Sequence, residues 1–133
     1  MLFRSIKINQ RSEIPLYLQL RNQIVTGIGK GALKPGESLP TVRQLATDLG
    51  INSMTVSKAY QLLKAEGFLE TDRRRGSVVS LPDANRPGAA AAFEEKLTDE
   101  LELLTAEAKV HGMTLQDFLS FCTNAFLEME VVS

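Results

Sequence analysis

The sequence predicts a mainly α fold with a small β-hairpin, and three observations lead to it. Apolar residues recur at helical spacing in five separate stretches. Two of those stretches are separated only by a short glycine-containing turn, and two short alternating runs bracket the basic tip DRRRG. The charge also changes sign along the chain. Residues 1–81 carry twelve Lys and Arg against six Asp and Glu, a net of +6, while 82–133 carry three against ten, a net of −7. The change falls at PDANRPG, 82–88, where two Pro, Asp, Asn and Gly supply loop chemistry. The predicted organisation is a first module over 1–81, a linker over 82–88 and a helical module over 89–133.

Helix one is predicted over about 15–29. Pro15 suits a first helical turn, and Leu16, Leu20, Ile24 and Ile28 line one face until the glycines of GKGALKPG interrupt it. Helix two, about 41–49, opens on the Thr41/Gln44 capping-box pattern, buries Val42, Leu45 and Leu49, and stops at Gly50. Asn52 then caps a third helix, with Ile51 as a hydrophobic staple, Val56, Ala59, Tyr60 and Leu63 inward, and Gly67 as terminator. A connection this short forces the two helices to cross steeply, which is a helix-turn-helix. Phe68–Thr71 and Ser77–Leu81 form the predicted hairpin, a wing whose tip carries Arg73, Arg74, Arg75 and Gly76.

Beyond the linker, Phe93, Leu97, Leu101, Leu104 and Ala108 mark one helical stripe. Leu115, Phe118, Leu119, Cys122, Phe126 and Met129 mark another after His111, Gly112 and the capping Thr114. Two amphipathic helices bury too little surface to stand alone in water, so their stripes require a partner, either the first module or a second copy of the chain, and the second copy is favoured. The predicted dimer interface is Phe93, Leu97, Leu101, Leu104, Leu115, Phe118, Leu119, Cys122 and Phe126. The whole is a winged helix-turn-helix domain followed by a C-terminal two-helix dimerisation hairpin.

Composition removes several function classes. With 133 residues, 44% of them apolar and 23% charged, the chain can fill a core of about one domain's size. Its longest apolar run, Ala89–Phe93, is far short of a membrane span, and MLFRSIK lacks the apolar core of a secretory signal, so a cytoplasmic protein with no membrane partner is expected. One cysteine and one histidine leave no metal cluster and no internal disulfide. Neither a nucleophile elbow nor a phosphate loop ending in GK[ST] is present, and GIGKGALKPG follows a helix instead of a strand. No enzyme and no cofactor are expected. His111 is read as a helix-end residue and Cys122 as a small core residue.

The outer faces carry the functional argument. With its apolar residues turned inward, helix three exposes Ser53, Met54, Thr55, Ser57, Lys58 and Gln61. Short polar groups and a methyl can approach base edges in a major groove, and Lys58 can neutralise phosphate. An ordinary solvated face is the alternative for any single helix. Thr41 and Arg43 stand at the start of helix two, where amide groups and the helix dipole favour phosphate. Three adjacent arginines at the wing tip repel one another, and a narrow minor groove supplies the missing counter-charge.

Read together, PLYLQL, GALKPGESLPTVRQLATDLGINSMTVSKAYQLLKAEGFLE and RRRGSVV resemble the DNA-binding module of the GntR family of bacterial transcription regulators over about residues 13–80. The resemblance implies a winged helix-turn-helix and places DNA-contacting positions at Arg43, Asn52, Ser53, Met54, Thr55, Ser57 and Gly76. Some subfamilies carry arginine where this chain has Ser53 and Ser57, so no operator sequence transfers. The short tail resembles the two-helix YtrA type, which implies dimers and repression of operons for ATP-binding-cassette transporters. The expectation is a homodimeric repressor on a pseudo-palindromic duplex, helix three in the major groove and the wing in the minor groove. A small-molecule effector stays open, and the rival is a winged-helix module that engages RNA or an acidic protein.

Overall fold

A computed structural model of the chain describes residues 6–132. The order is α1 (Leu16–Gly29), α2 (Val42–Leu49), α3 (Ser53–Glu66), β1 (Leu69–Asp72), β2 (Gly76–Val79), α4 (Ala89–Val110) and α5 (Leu115–Leu127). The chain forms two compact units. Among the described residues the first runs to Pro82 and takes in 130–132, and the second is Asp83–Met129.

In the first unit each helix ends as its sequence dictates. The Thr41 hydroxyl accepts a hydrogen bond from the Gln44 amide at 3.1 Å, and the Asn52 side chain accepts from Met54 N at 2.7 Å. Caps of this kind contribute about 1 kcal/mol each. Gly50 (φ +68°) and Gly67 (φ +89°) close α2 and α3 in the left-handed conformation that side chains disfavour. With only Ile51 and Asn52 between Gly50 and Ser53, α2 and α3 form the expected helix-turn-helix. Before α1, two glutamines hold the incoming strand of chain: Gln23 exchanges hydrogen bonds with the Lys7 backbone at 2.8 and 2.6 Å, and Gln19 does the same with Asn9, both at 2.9 Å.

The core lies where α3 packs on α1, α2 and β1. Leu20, Ile24, Leu33, Leu45, Val56, Leu63, Val78 and Val79 are essentially inaccessible to solvent. Each fully buried side chain of this size contributes about 1.5–3 kcal/mol relative to exposure. Arg21 closes one edge, its Nε and Nη2 on the two Glu66 oxygens at 2.9 and 2.8 Å and its guanidinium 5.6 Å from the Phe68 ring centre. The paired fork joins α1 to the end of α3.

The hairpin pairs Leu69 with Val79 through Asp72 with Gly76. Phe68 and Leu81, expected inside the strands, lie outside them. The Phe68 amide instead closes α3 by donating to Leu63 O at 2.9 Å. A third stretch of chain joins the wing. Gly36 N donates to Val79 O, Val79 N to Glu37 O and Leu39 N to Ser77 O, at 2.8–2.9 Å.

In the second unit, Thr114 caps α5 through Asp117 N at 3.1 Å, and Gly112 (φ +79°) makes the turn after His111. No residue of α4 or α5 is buried, and the two helices touch each other little. After α5 the chain rejoins the first unit, where Glu130 N donates to Gly29 O at 2.9 Å. The sequence had assigned 89–133 to one helical module; residues 130–132 instead belong with the first unit. Gly31 allows this return. Its φ is +77°, and a Cβ placed there would collide with the Glu130 carbonyl.

Candidate nucleic-acid interface

The amphipathic pattern of α3 decides which side chains remain outside. Val56, Ala59, Tyr60 and Leu63 are buried, as the sequence expected. Ser53, Met54, Lys58 and Gln61 are exposed, with Met54 at 77%, and Thr55 and Ser57 are half-buried. Tyr60 holds this arrangement from beneath: its hydroxyl donates to Pro40 O at 2.8 Å, and burial pushes its ionisation well above the ordinary range. It therefore stays a neutral anchor between α3 and the segment leading to α2.

The outer face of α3 is not flat. Met54, Thr55, Ser57, Lys58 and Gln61 form one wall of an open cleft whose other wall is Pro15, Leu16 and Tyr17 from the start of α1. Lys58 Nζ sits 4.0 Å from the centre of the Tyr17 ring. Sequence reasoning took PLY only as a helix start and a motif. Residues 41 positions apart carry no periodic signal of their contact, so it could not be found along the chain.

Thr41 and Asn52 spend an acceptor on capping, and among the described residues the hydroxyl hydrogen and the amide N–H groups have no acceptor. Donors are what phosphate oxygens require. Arg43 is exposed at the start of α2, and its guanidinium makes no hydrogen bond or ion pair among the described residues.

The wing tip separates the three arginines. Asp72 Oδ1 accepts from the backbone amides of Arg74 and Arg75 at 2.8 and 3.0 Å, and Oδ2 meets Arg75 Nη2 at 3.2 Å. Arg75 Nη1 also donates to Gly36 O at 2.7 Å. The two backbone amides, and after them the Arg75 side chain, hold the Asp72 carboxyl below its ordinary pKa. Arg75 thus turns back toward the protein, while Arg73 and Arg74 are exposed with no carboxylate partner among the described residues. Gly76 has φ +75° and open space where a Cβ would lie, so the backbone conformation alone calls for glycine.

Of the residues expected to meet a partner chain, Phe93, Leu97, Leu104, Leu115, Leu119, Cys122 and Phe126 are exposed, and Leu101 and Phe118 are half-buried. Leu103, Val110, Phe121 and Leu127 are also exposed and were not foreseen. They fall off the single stripe that a helix facing one neighbour needs. Among the described residues no group of His, Cys, Asp and Glu could hold a metal, and no helix is long and apolar enough to cross a membrane.

A helix-turn-helix backed by α1, followed by a hairpin with unpaired arginines, defines the winged helix-turn-helix class of DNA-binding proteins. Residues 16–79 match the bacterial regulatory proteins of the gntR family. The chain is similar to the HTH-type transcriptional regulator Rv1152 of Mycobacterium tuberculosis (strain ATCC 25618 / H37Rv), with 34% identity over 90% of this chain and 92% of that one. It is also 39% identical to the HTH-type transcriptional repressor YtrA of Bacillus subtilis (strain 168), over 84% of each chain. Among solved structures it resembles a transcriptional antiterminator from Listeria monocytogenes EGD-e (TM-score 0.73, 26% identity, 90% of this chain and 87% of that one). The chain belongs to the gntR family and is a YtrA-like, DNA-binding transcriptional regulator, not an enzyme.

Proposed function

We propose that the protein is a homodimeric repressor that acts in the bacterial cytoplasm by occupying promoter DNA. The observation that carries this is the open cleft on the outer face of α3, where Met54, Thr55, Ser57 and Gln61 surround Lys58; Lys58, Arg43 and the wing's Arg73 and Arg74 lack any carboxylate partner among the described residues. Unneutralised cations beside a face of short side chains suit a polyanion with a groove. In this reading Ser53, Met54, Thr55, Ser57 and Gln61 address base edges in the major groove. Thr41, Arg43 and Asn52 hold phosphates, and Arg73, Arg74 and Gly76 form the edge of the wing that reaches the minor groove.

The exposed apolar residues of α4 and α5 support pairing with a second copy, and two-fold symmetry then calls for a pseudo-palindromic operator. The repressor named YtrA, 39% identical, supports the negative sign of regulation. A transporter-type operon, which the subfamily implies, is the target class to test first. Release from DNA requires a ligand or partner with higher affinity for the DNA-incompetent arrangement.

The test selects a duplex from a random pool and measures its affinity against salt concentration. The expected slope of log K against log salt is about −0.9 for each phosphate contacted, with strong preference for the selected sequence. Arg73→Ala with Arg74→Ala, which removes two contacts from each wing of the dimer, flattens that slope by about 3.6. Arg75→Ala, whose guanidinium is engaged with Asp72 and Gly36, flattens it by less. Weak binding indifferent to sequence overturns the reading in favour of a module for RNA or an acidic protein.

A further inference from the structure

The chain has two tyrosines, and their hydroxyl groups have opposite fates. Tyr60 is buried and donates to Pro40 O at 2.8 Å. Tyr17 lies half-buried on the first turn of α1, one side of its ring against the core, and its hydroxyl has no hydrogen-bond partner among the described residues. The same ring carries the Lys58 ammonium at 4.0 Å, and both residues line the open cleft with Met54, Thr55, Ser57 and Gln61. No carboxylate competes for Lys58 among the described residues.

We propose that Tyr17 is part of the DNA interface, with its hydroxyl donating to a backbone phosphate and its ring holding Lys58 in position for a neighbouring phosphate. This rests on the assignment of the α3 face to duplex DNA. A free lysine side chain samples many rotamers and loses that freedom when it binds. Stacked on an aromatic face, it has surrendered part of that freedom beforehand, and the ammonium still presents N–H donors away from the ring. A phenol is a phosphate donor in its own right. Because it is neutral, its contact strengthens binding without displacing a counterion, so its signature differs from that of a lysine.

Tyr17→Phe, Tyr17→Leu, Lys58→Ala and the double change Tyr17→Leu with Lys58→Ala separate these contributions on the selected duplex. Thermal melting of each variant confirms folding. Lys58→Ala is expected to reduce the salt slope of the dimer by about 1.8, one phosphate for each protomer. Tyr17→Phe keeps the ring and is expected to weaken binding about tenfold with the slope unchanged. Tyr17→Leu loses a further two- to fivefold, and that extra loss disappears when Lys58 is already alanine. In the free parent protein the Lys58 ε-methylene protons resonate upfield, and Tyr17→Leu removes the shift. Parent-like affinity in Tyr17→Phe and Tyr17→Leu, with the parent binding DNA normally, overturns this assignment alone. A parent with no salt-dependent duplex binding overturns the reading on which it rests.

Discussion

Asp72 shows how much a single carboxylate can organise. It closes the wing turn through two backbone amides and restrains Arg75, so the charge that reaches outward belongs to its neighbours. Its folded pKa lies below the ordinary aspartate value of about 3.9. The turn is therefore fully supported above that ordinary value and loses support as pH falls through the lower folded one. Titration of the Arg74 and Arg75 amide shifts is expected to report a midpoint below an ordinary aspartate, and Asp72→Asn is expected to abolish the step. A midpoint at or above the ordinary value would contradict the arrangement. The caps at Thr41 and Asn52 were legible in the sequence, because capping is a local pattern of three or four residues. The inward turn of Arg75 was not, since its second partner, Gly36, comes from 39 positions earlier.

Among elements, the first three helices were readable nearly to the residue, since each has a single apolar face and a glycine or capping residue at its ends. The hairpin was displaced by about one residue because Phe68 serves the end of α3 instead of the strand. For α4 and α5 the periodicity located the helices but understated their apolar surface. A stripe is expected of a helix with one neighbour, whereas Leu103, Val110, Phe121 and Leu127 lie off it and are solvent-exposed. Exposed apolar area of this kind on successive helices marks an interaction surface. Leu104→Lys together with Phe126→Lys is expected to convert a dimer to a monomer in sedimentation velocity while leaving the helical content of the first unit intact. A dimer that survives both charges places the interface elsewhere.

Across the whole molecule, the charge changes sign near residue 82, where the chain also divides into its two compact units, and nothing in the sequence marked the return at Glu130. Three residues with one hydrogen bond and no periodicity leave no pattern to read. Gly31 tests that return. Gly31→Ala imposes a side chain at φ +77° against the Glu130 carbonyl, and is expected to cost about 1–3 kcal/mol in denaturant unfolding or to expel the tail. Amide exchange at Glu130 distinguishes the two, accelerating only when the tail leaves. Unaltered stability and unaltered exchange would show that the return is not held there.

The return also gives α1 a mechanical character. Fourteen residues of helix make a strut about 21 Å long. Its last turn is fastened to the segment arriving from α5, and its first turn bears Tyr17 beside the surface proposed for DNA. Withdrawal of residues 130–132 from Gly29 would therefore free the end of α1 opposite the one that carries Tyr17.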